Sequence, residues 1–261
     1  MALPGRLPPI LPPPHPPPRI PPEKLVFVQY LAALAICDGL DADGKLGVRL
    51  KWPNDIYAFA EGVGAAEEGK KGKAKLGGIL VNSSFVDGQW RVVVGCGINI
   101  LNDLPTTSLA QLHDLQARRK GTPGKVPSME ESLAAILVSF EGFWNTFLHD
   151  QGFDGLLDEY LGRWLHTDQP VTLTTTTLPQ QLIIKTITLD HGLLRCVPDR
   201  RGEPRRSMYD PGSEDRSSYA FGAGALGRGM QALGLGKTEY VDLQPDGNSF
   251  DLMSGLIKRK V

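Results

Sequence analysis

An almost continuous apolar run occupies residues 25–36, interrupted only by Gln29 and Tyr30. A segment that is apolar on all sides predicts a helix buried in the core. The run stops at Asp38-Gly39, and a glycine at this point predicts the C-terminal end of the helix.

Further helices are predicted after Pro105. Ser128 and Glu131 have the spacing of a capping box, in which each side chain hydrogen-bonds the backbone N–H of the other residue. Residues 155–166 also have a helical pattern. The apolar positions that follow the capping box have helical spacing as well: Leu133, Ile136, Leu137, Phe140, Phe143, Trp144 and Phe147.

Between the first and later helices, the pattern predicts β-structure. Residues 61–74 are interpreted as a charged loop. In the predicted strand 48–52, the alternation places Lys51 on the face that points away from the core. The turn at Asp87-Gly88 joins the last two predicted strands into a hairpin. The predicted strands are residues 48–52, 56–60, 76–86 and 89–100.

A change of class near Thr167 predicts a domain boundary, because strands dominate the remainder of the chain. Residues 199–237 are rich in Arg, Ser and Gly with little apolar periodicity, and they predict a mobile insertion. An ordered pattern resumes at residues 238–260. The strands predicted before the insertion are residues 171–176, 181–189 and 193–197.

The composition is that of a globular protein, with 41% hydrophobic and 22% charged residues in 261. A formal net charge of -1 argues against nucleic acid or an anionic membrane as a partner. Residues 1–22 hold 11 of the 21 prolines and predict an extended or disordered tail. A ligand for an SH3 or WW domain is the functional alternative for this tail.

Cysteine usage favours a reducing compartment. The chain has an odd number of cysteines, and no two of them form a CxxC pair: Cys37, Cys96 and Cys196. Neither a disulfide framework nor a zinc site is therefore predicted. The longest apolar run is shorter than the roughly 20 residues that span a bilayer. We therefore expect a cytoplasmic protein without a membrane segment.

Two glycine-rich stretches in the insertion resemble nucleotide-binding motifs but lack their context. Residues 222–227 satisfy GxGxxG without a preceding buried strand, and residues 234–238 resemble a P-loop without its first glycine. Both are interpreted as loop. The five histidines have no partners at ligand spacing, so no metal site is predicted.

The most informative block lies between residues 49 and 99. Residues 51–55 (Lys-Trp-Pro-Asn-Asp) place polar groups at the end of a strand, and Lys75 comes shortly before Gly77 and Gly78. Residues 95–99 (Gly-Cys-Gly-Ile-Asn) repeat the glycines on the adjoining strand. Glycines inside paired strands indicate close approach, either of a ligand or of another segment of the chain.

Together these motifs resemble the biotin protein ligases, also called holocarboxylase synthetases, and in particular their fungal members. The resemblance implies an α/β (α+β) catalytic domain related to class II tRNA synthetases, followed by a small SH3-like β-barrel. We expect a tail at residues 1–22, the catalytic domain at 23–166, and the C-terminal domain at 167–261 with its insertion at about 199–237. The signatures are residues 49–55 (RLKWPND), 75–81 (KLGGILV), 95–99 (GCGIN) and 245–251 (PDGNSFD).

The resemblance implies a reaction in two steps. The carboxylate of biotin attacks the α-phosphate of Mg-ATP, and a lysine of a biotin carboxyl carrier domain of a carboxylase then attacks the biotinyl-adenylate. Lys75 is the implied catalytic cation, because a carboxylate and a phosphate brought together need a fixed positive charge between them. Lys75, Gly77 and Gly78 are the implied biotin-binding residues. Nucleotide binding is implied for Asn54, Asp55 and Asn99, and no protein ligand for a metal is assigned.

One departure from the family pattern limits this expectation. Members of the family have a biotin-contacting segment and a GRGRxxxxW loop upstream of the first helix, and neither occurs in this sequence. We therefore expect an N-terminally truncated ligase with impaired activity, since the loop's donors hold the adenylate phosphate. The alternatives are a non-catalytic fragment that binds a carrier domain or a ligase partner, and a lipoate ligase.

Overall fold

The computed structural model describes residues 20–64, 71–103, 106–121, 125–175, 178–200, 239–245, 248–252 and 256–259. The predictions for the proline-rich residues 1–19 and for residues 201–238, including both glycine motifs, lie outside the described residues. The chain divides into two compact units. Unit 1 is Met1–Leu165 with Leu189–Gly192, and unit 2 is His166–Thr188 with Leu193–Val261.

Helix α1 (Phe27–Asp41) is the buried helix of unit 1, as its apolar run predicts, and a short 3-10 helix at Pro22–Val26 precedes it. The expected end at Gly39 is wrong, because the helix continues for two more residues. A Cβ at Gly39 would lie 2.7 Å from the backbone nitrogen of Ile136 in helix α3 (Met129–Asp150). The glycine therefore serves a close helix–helix contact and does not end the helix.

The later helices follow the sequence pattern only in part. The capping box of α3 is confirmed, with Glu131 N donating to Ser128 Oγ at 3.1 Å and Ser128 N to Glu131 Oε2 at 2.8 Å. The predicted apolar face of α3 is not buried throughout, since Leu133 and Leu137 are both more than half exposed. The other helices are α2 (Leu109–Lys120) and α4 (Leu157–Arg163), with a 3-10 turn at Asp154–Leu156.

Aromatic side chains form the centre of the core of unit 1. The rings of Phe27 and Phe153 stack with centroids 4.9 Å apart, and Tyr30 and Tyr160 adjoin them. The Tyr30 hydroxyl donates to Gly192 O at 2.6 Å and accepts from Trp52 Nε1 at 2.8 Å. This network ties α1 to the strand end at Trp52 and to the turn at residues 190–192.

The sheet of unit 1 is antiparallel, with strand order β1-β2-β3-β4. The predicted hairpin of the last two strands is confirmed. The predicted loop at residues 61–74 is wrong for residues 71–74, which pair with β2. The small residues Gly72 and Ala74 face inward there and hide the apolar alternation of a strand. The strands are β1 (Val48–Lys51), β2 (Asp55–Glu61), β3 (Lys71–Val86) and β4 (Gln89–Ile98).

A β-bulge on β3 changes which residues face outward. Tyr57 pairs with Lys75, but the preceding Ile56 pairs with Gly77, so Leu76 is the extra residue. Odd-numbered residues up to Lys75 are exposed. Leu76 at the bulge is buried, as are Gly77 and Ile79 after it, so that from Gly78 onward the even-numbered positions turn outward. The bulge thereby places Lys75 on the same face of the sheet as Gly78.

Unit 2 contains a six-stranded sheet of order β8-β7-β6-β5-β10-β9. Strand β10 runs parallel to β5, and the other neighbours are antiparallel. Within the described residues no pairing joins the edge strands β8 and β9, so the expected closed barrel is not found there. The strands are β5 (Pro170–Leu173), β6 (Gln180–Ile187), β7 (Leu194–Pro198), β8 (Val241–Leu243), β9 (Asn248–Asp251) and β10 (Leu256–Arg259).

Within the part of the chain that the structure describes, no helix combines the length and the apolarity of a membrane span.

Candidate functional site

A cleft of about 480 Å³ opens on the exposed face of the sheet in unit 1. The turn after β1, the bulged part of β3 and the end of β4 form its walls. The cleft is shallow and largely open to solvent, and its volume falls in the range of small-molecule sites, roughly 300 to 1,000 Å³. The lining residues are Asn54, Asp55, Lys75, Gly78, Ile79, Leu80, Gly95, Cys96 and Gly97.

Asp55 lies between two ammonium groups in this cleft. Its Oδ1 is 2.6 Å from Lys75 Nζ, and its Oδ2 is 2.8 Å from Lys51 Nζ. The side chains of Lys51 and Asp55 are only 14% and 18% exposed, whereas that of Lys75 is 56% exposed. The three groups form an ion triad with a sheltered inner lysine and an accessible outer one.

The triad sets the protonation of Asp55. Burial raises the pKa of this carboxyl group, but the hydrogen bonds from Lys51 and then Lys75 outweigh burial and leave the pKa below its usual value. Asp55 is therefore ionised at neutral pH. Because two cations face one anion, the triad carries a net positive charge, and the accessible part of that charge is on Lys75.

Asn54 holds the turn against β3. Its side-chain Nδ2 donates to Ile79 O at 2.9 Å, while its backbone carbonyl accepts from Ile79 N at 2.8 Å. These two bonds fix the position of Asp55, which follows in the chain. Because its Nδ2 already donates to Ile79 O, the geometry of Asn54 is that of a residue that positions the turn.

The two glycines of the Lys75 motif have different surroundings. A Cβ at Gly77 would come within 2.7 Å of Ile98 Cδ1 and closer still to Gly97 O, so this position requires glycine for the contact of β3 with β4. A Cβ at Gly78 would instead lie 3.5 Å from Asp55 Oδ1 and 3.7 Å from Lys75 Nζ. Of the two, Gly78 lines the cleft.

Glycines of β4 also line the cleft. Gly97 pairs with Gly78 and Gly95 with Leu80, so both lie on the cleft face of the sheet. A Cβ at Gly97 would meet nothing within 4 Å, which shows open space above the backbone. A flat ligand can therefore approach the strands closely at this point.

The structure brings together four of the predicted site residues and separates two. Asn54, Asp55, Lys75 and Gly78 line the cleft, whereas Gly77 packs beneath it. Asn99 lies beyond the end of β4, where its N–H donates to Leu76 O at 2.9 Å and its carbonyl accepts from Leu109 N at 2.9 Å. Asn99 is not among the lining residues.

Lys51 pairs with Asp55 but is not among the site residues that the sequence predicts. The alternation places it on the outer face of β1, and it is four residues before Asp55. The signal that could have identified it is this spacing across a turn, combined with the carboxylate at the start of the next strand. Gly95 and Gly97 were visible as a motif but without an assigned position in the site.

The described residues contain no group of three or more His, Cys, Asp or Glu side chains that could hold a metal ion. Asp55 is the sole carboxylate among the residues that line the cleft, and both of its oxygens already face ammonium groups. The described residues that line the cleft therefore do not form a dedicated protein site for Mg²⁺.

Comparison with known proteins gives a consistent result. Residues 14–99 match the model of the Biotin/lipoate A/B protein ligase family. Biotin–protein ligase of Schizosaccharomyces pombe is 35% identical over 242 residues, which is 90% of this chain and 32% of that protein. Biotin–protein ligase 2 of Arabidopsis thaliana is 30% identical, over 90% of this chain and 57% of its own length.

The human Biotin–protein ligase is 24% identical over 91% of this chain and 26% of its own length. The chain thus spans between about a quarter and three fifths of the length of these curated relatives. The match includes the strands and the turn that form the cleft. Residues 14–99 are thus similar to the Biotin/lipoate A/B protein ligase family, and nine tenths of the chain is similar to proteins named biotin–protein ligase.

Proposed function

We propose that the chain is the core of a biotin protein ligase, which activates biotin with ATP and transfers it to a lysine of a biotin carboxyl carrier domain. The observation that carries this proposal is the accessible Lys75 ammonium in a cleft that is lined by Gly78, Gly95 and Gly97. The names of the relatives support biotin as the substrate.

In the first step, an oxygen of the biotin carboxylate forms a bond to the α-phosphorus of ATP, and pyrophosphate leaves. Two anions must approach each other, so a fixed cation between them lowers the barrier. Lys75 supplies that cation, since more than half of its side chain is exposed to a ligand. Gly78 and Gly97 leave room for the reacting groups next to the ammonium.

In the second step, the neutral amine of the carrier lysine attacks the acyl carbon of the adenylate. An amide bond forms, AMP leaves, and the amine loses its proton to solvent. Lys75 then stabilises the departing phosphate. Magnesium is taken as part of the substrate Mg-ATP, and no step is assigned to the ion.

The proposed domain arrangement is a catalytic domain at residues 23–166 and a C-terminal domain at 167–261. The division of the chain between Leu165 and His166 supports this boundary. For the C-terminal domain we propose an SH3-like module, which the short, mainly antiparallel strands of unit 2 favour. Three free cysteines support a cytoplasmic location, and cell fractionation tests it.

Lipoate is the second candidate substrate, because the matching family model covers both biotin and lipoate ligases. Competition between biotin and lipoate separates the two candidate substrates. If biotin is the substrate, an excess of unlabelled biotin suppresses the labelling of a carrier domain by labelled biotin, whereas an excess of lipoate does not. A non-catalytic fragment would bind the carrier domain and form no product that depends on ATP.

The experiment is biotin-dependent exchange of labelled pyrophosphate into ATP. We expect Lys75→Met to reduce exchange about 100-fold or more, the usual cost of removing a charge-stabilising donor. Lys73→Met is the matched control, because Lys73 is on the same strand and its ammonium lies over the Phe59 ring at 5.8 Å. Exchange that is unchanged in Lys75→Met contradicts the role of Lys75.

A second form of the protein, extended upstream by a segment that carries a GRGRxxxxW loop, is measured in parallel. Exchange in the extended form alone shows that the cleft residues are one part of a site that the loop completes. If neither form exchanges pyrophosphate or binds biotin by calorimetry, the proposed function is wrong.

A further inference from the structure

We infer that Lys51 is a positioning residue, whose ammonium neutralises Asp55 so that Lys75 keeps its positive charge available to an anionic substrate. The inference rests on the proposed function, in which Lys75 receives a carboxylate and a phosphate. It assigns a role to a side chain that does not line the cleft.

The geometry of the triad divides the carboxylate between the two lysines. Asp55 Oδ2 is 2.8 Å from Lys51 Nζ, and Asp55 Oδ1 is 2.6 Å from Lys75 Nζ. Lys51 and Asp55 are opposite each other in the β1–β2 register, which brings them together independently of Lys75. The Lys51 ammonium also lies 5.6 Å from the centroid of the Tyr57 ring, a cation–π contact that helps to hold it in place.

Exposure distinguishes the two ion pairs. The pair of Lys51 with Asp55 is sheltered, so solvent screens it little. The pair of Lys75 with Asp55 has one partner largely in solvent, and such pairs are weak and easily exchanged for another anion. Lys75 can therefore turn from Asp55 to a substrate while Lys51 stays with the carboxylate.

The charge balance shows why this matters. Lys51, Asp55 and Lys75 together carry a net charge of about +1 at neutral pH. Without Lys51, the remaining pair is neutral, and a sheltered carboxylate with a single partner holds that partner more tightly. Lys75 would then be bound by Asp55 and would attract an incoming anion less.

Lys71 and Lys73 are not placed to substitute for Lys51. The ammonium groups of Lys71 and Lys73 lie over the Phe59 ring, at 5.5 Å and 5.8 Å from its centroid. Phe59 is four residues further along β2 than Asp55. The basic residues of β3 are thus engaged away from the carboxylate, and among them Lys75 is its partner.

Two measurements test the inference, one with biotin and one without a ligand. The first is the dissociation constant of biotin by calorimetry. The second is the rate at which an amine-acylating reagent labels Lys75, followed by mass spectrometry, because only the free amine reacts. The variants are Lys51→Met, Lys51→Arg and the double variant Lys51→Met/Asp55→Asn, with Lys73→Met as the control.

In Lys51→Met we expect biotin affinity to fall about tenfold, the usual scale for one charged hydrogen bond. Labelling of Lys75 should slow by about threefold or more, because the tighter ion pair withholds the amine. The double variant should recover both quantities, since removing the carboxylate returns the net charge of the site to about +1. Lys51→Arg and Lys73→Met should behave like the parent chain.

Equal labelling of Lys75 in Lys51→Met and in the parent chain overturns the inference. A double variant that is no better than Lys51→Met also overturns it, because a purely structural role of Lys51 predicts no rescue. If Lys51→Met does not fold, labelling is measured in Asp55→Asn instead. The inference then requires that Lys75 be labelled faster in Asp55→Asn than in the parent chain. If neither the chain nor its upstream-extended form binds biotin, the proposed function is wrong, while the labelling still decides the role of Lys51.

Discussion

At the scale of single residues, the electrostatics of the cleft depend on Asp55. Its two oxygens face two ammonium groups, and the surrounding backbone is fixed by the hydrogen bonds of Asn54 to Ile79. The carboxylate therefore contributes to stability only while it is ionised. This link between charge and folding can be measured by changing the pH.

Asp55→Asn should make the free energy of unfolding depend less on pH in the acid range. The pKa of Asp55 in the folded chain is below the ordinary value of 3.8, so its ionised form stabilises the fold at neutral pH. That contribution is present above the unfolded pKa and is lost as the pH falls through the lower, folded pKa. We expect the stability difference between the parent and Asp55→Asn to shrink below about pH 4.

Urea denaturation at a series of pH values checks this expectation. The parent chain at pH 7 is the reference, and the variant is measured in the same buffers. A difference in unfolding free energy that stays constant from neutral pH down to the acid limit of folding would contradict it.

At the scale of elements, Gly39 decides how closely α1 and α3 pack. A Cβ there would lie 2.7 Å from Ile136 N and 2.8 Å from Ile136 Cα, which are backbone atoms that cannot rotate away. The clash opposes the higher helix propensity of alanine, which is worth about 1 kcal/mol. The packing effect should win because the two helices must separate.

We expect Gly39→Ala to lower the unfolding free energy by about 1 to 3 kcal/mol. Gly142→Ala is the matched control, since Gly142 is also inside a helix and a Cβ there would meet nothing within 4 Å. That control should gain up to about 1 kcal/mol from helix propensity. Denaturant unfolding of the two variants tests the pair, and a stabilising Gly39→Ala would show that the helices are not held at this distance.

At the scale of the whole molecule, unit 1 depends on a buried aromatic core with one polar network. Tyr30 is fully buried there, and burial raises the pKa of its hydroxyl far above the ordinary range. The hydroxyl satisfies Gly192 O and Trp52 Nε1, so it connects segments that are distant in sequence. Its removal should weaken the entire unit.

Tyr30→Phe should cost about 1 to 3 kcal/mol of unfolding free energy, the penalty for leaving a buried hydrogen-bonding group without this partner. Tyr240→Phe is the control, because Tyr240 is more than half exposed, and its change should stay within about 0.5 kcal/mol. Thermal and urea unfolding measure both. Equal stability of the two variants would mean that the network does not hold unit 1 together.

Many of the elements were predictable because their signals are local. The buried helix α1, the capping box of α3 and the β3–β4 hairpin follow from apolar periodicity, caps and a two-residue turn. The motifs around Lys75 were equally visible, and they carry the resemblance that the relatives confirm. The end of α1 and the first residues of β3 were not predictable, because contacts with distant backbone decided them.

The sequence by itself determined the candidate chemistry, because the types and order of residues around Lys75 are properties of the chain. Only the tertiary structure decided the arrangement of the site. The bulge at Leu76 turned Lys75 and Gly78 to one face, and the register of β1 with β2 brought Lys51 to Asp55. Cross-strand contacts join residues that have no local signal for each other, so distances between strands had to come from the fold.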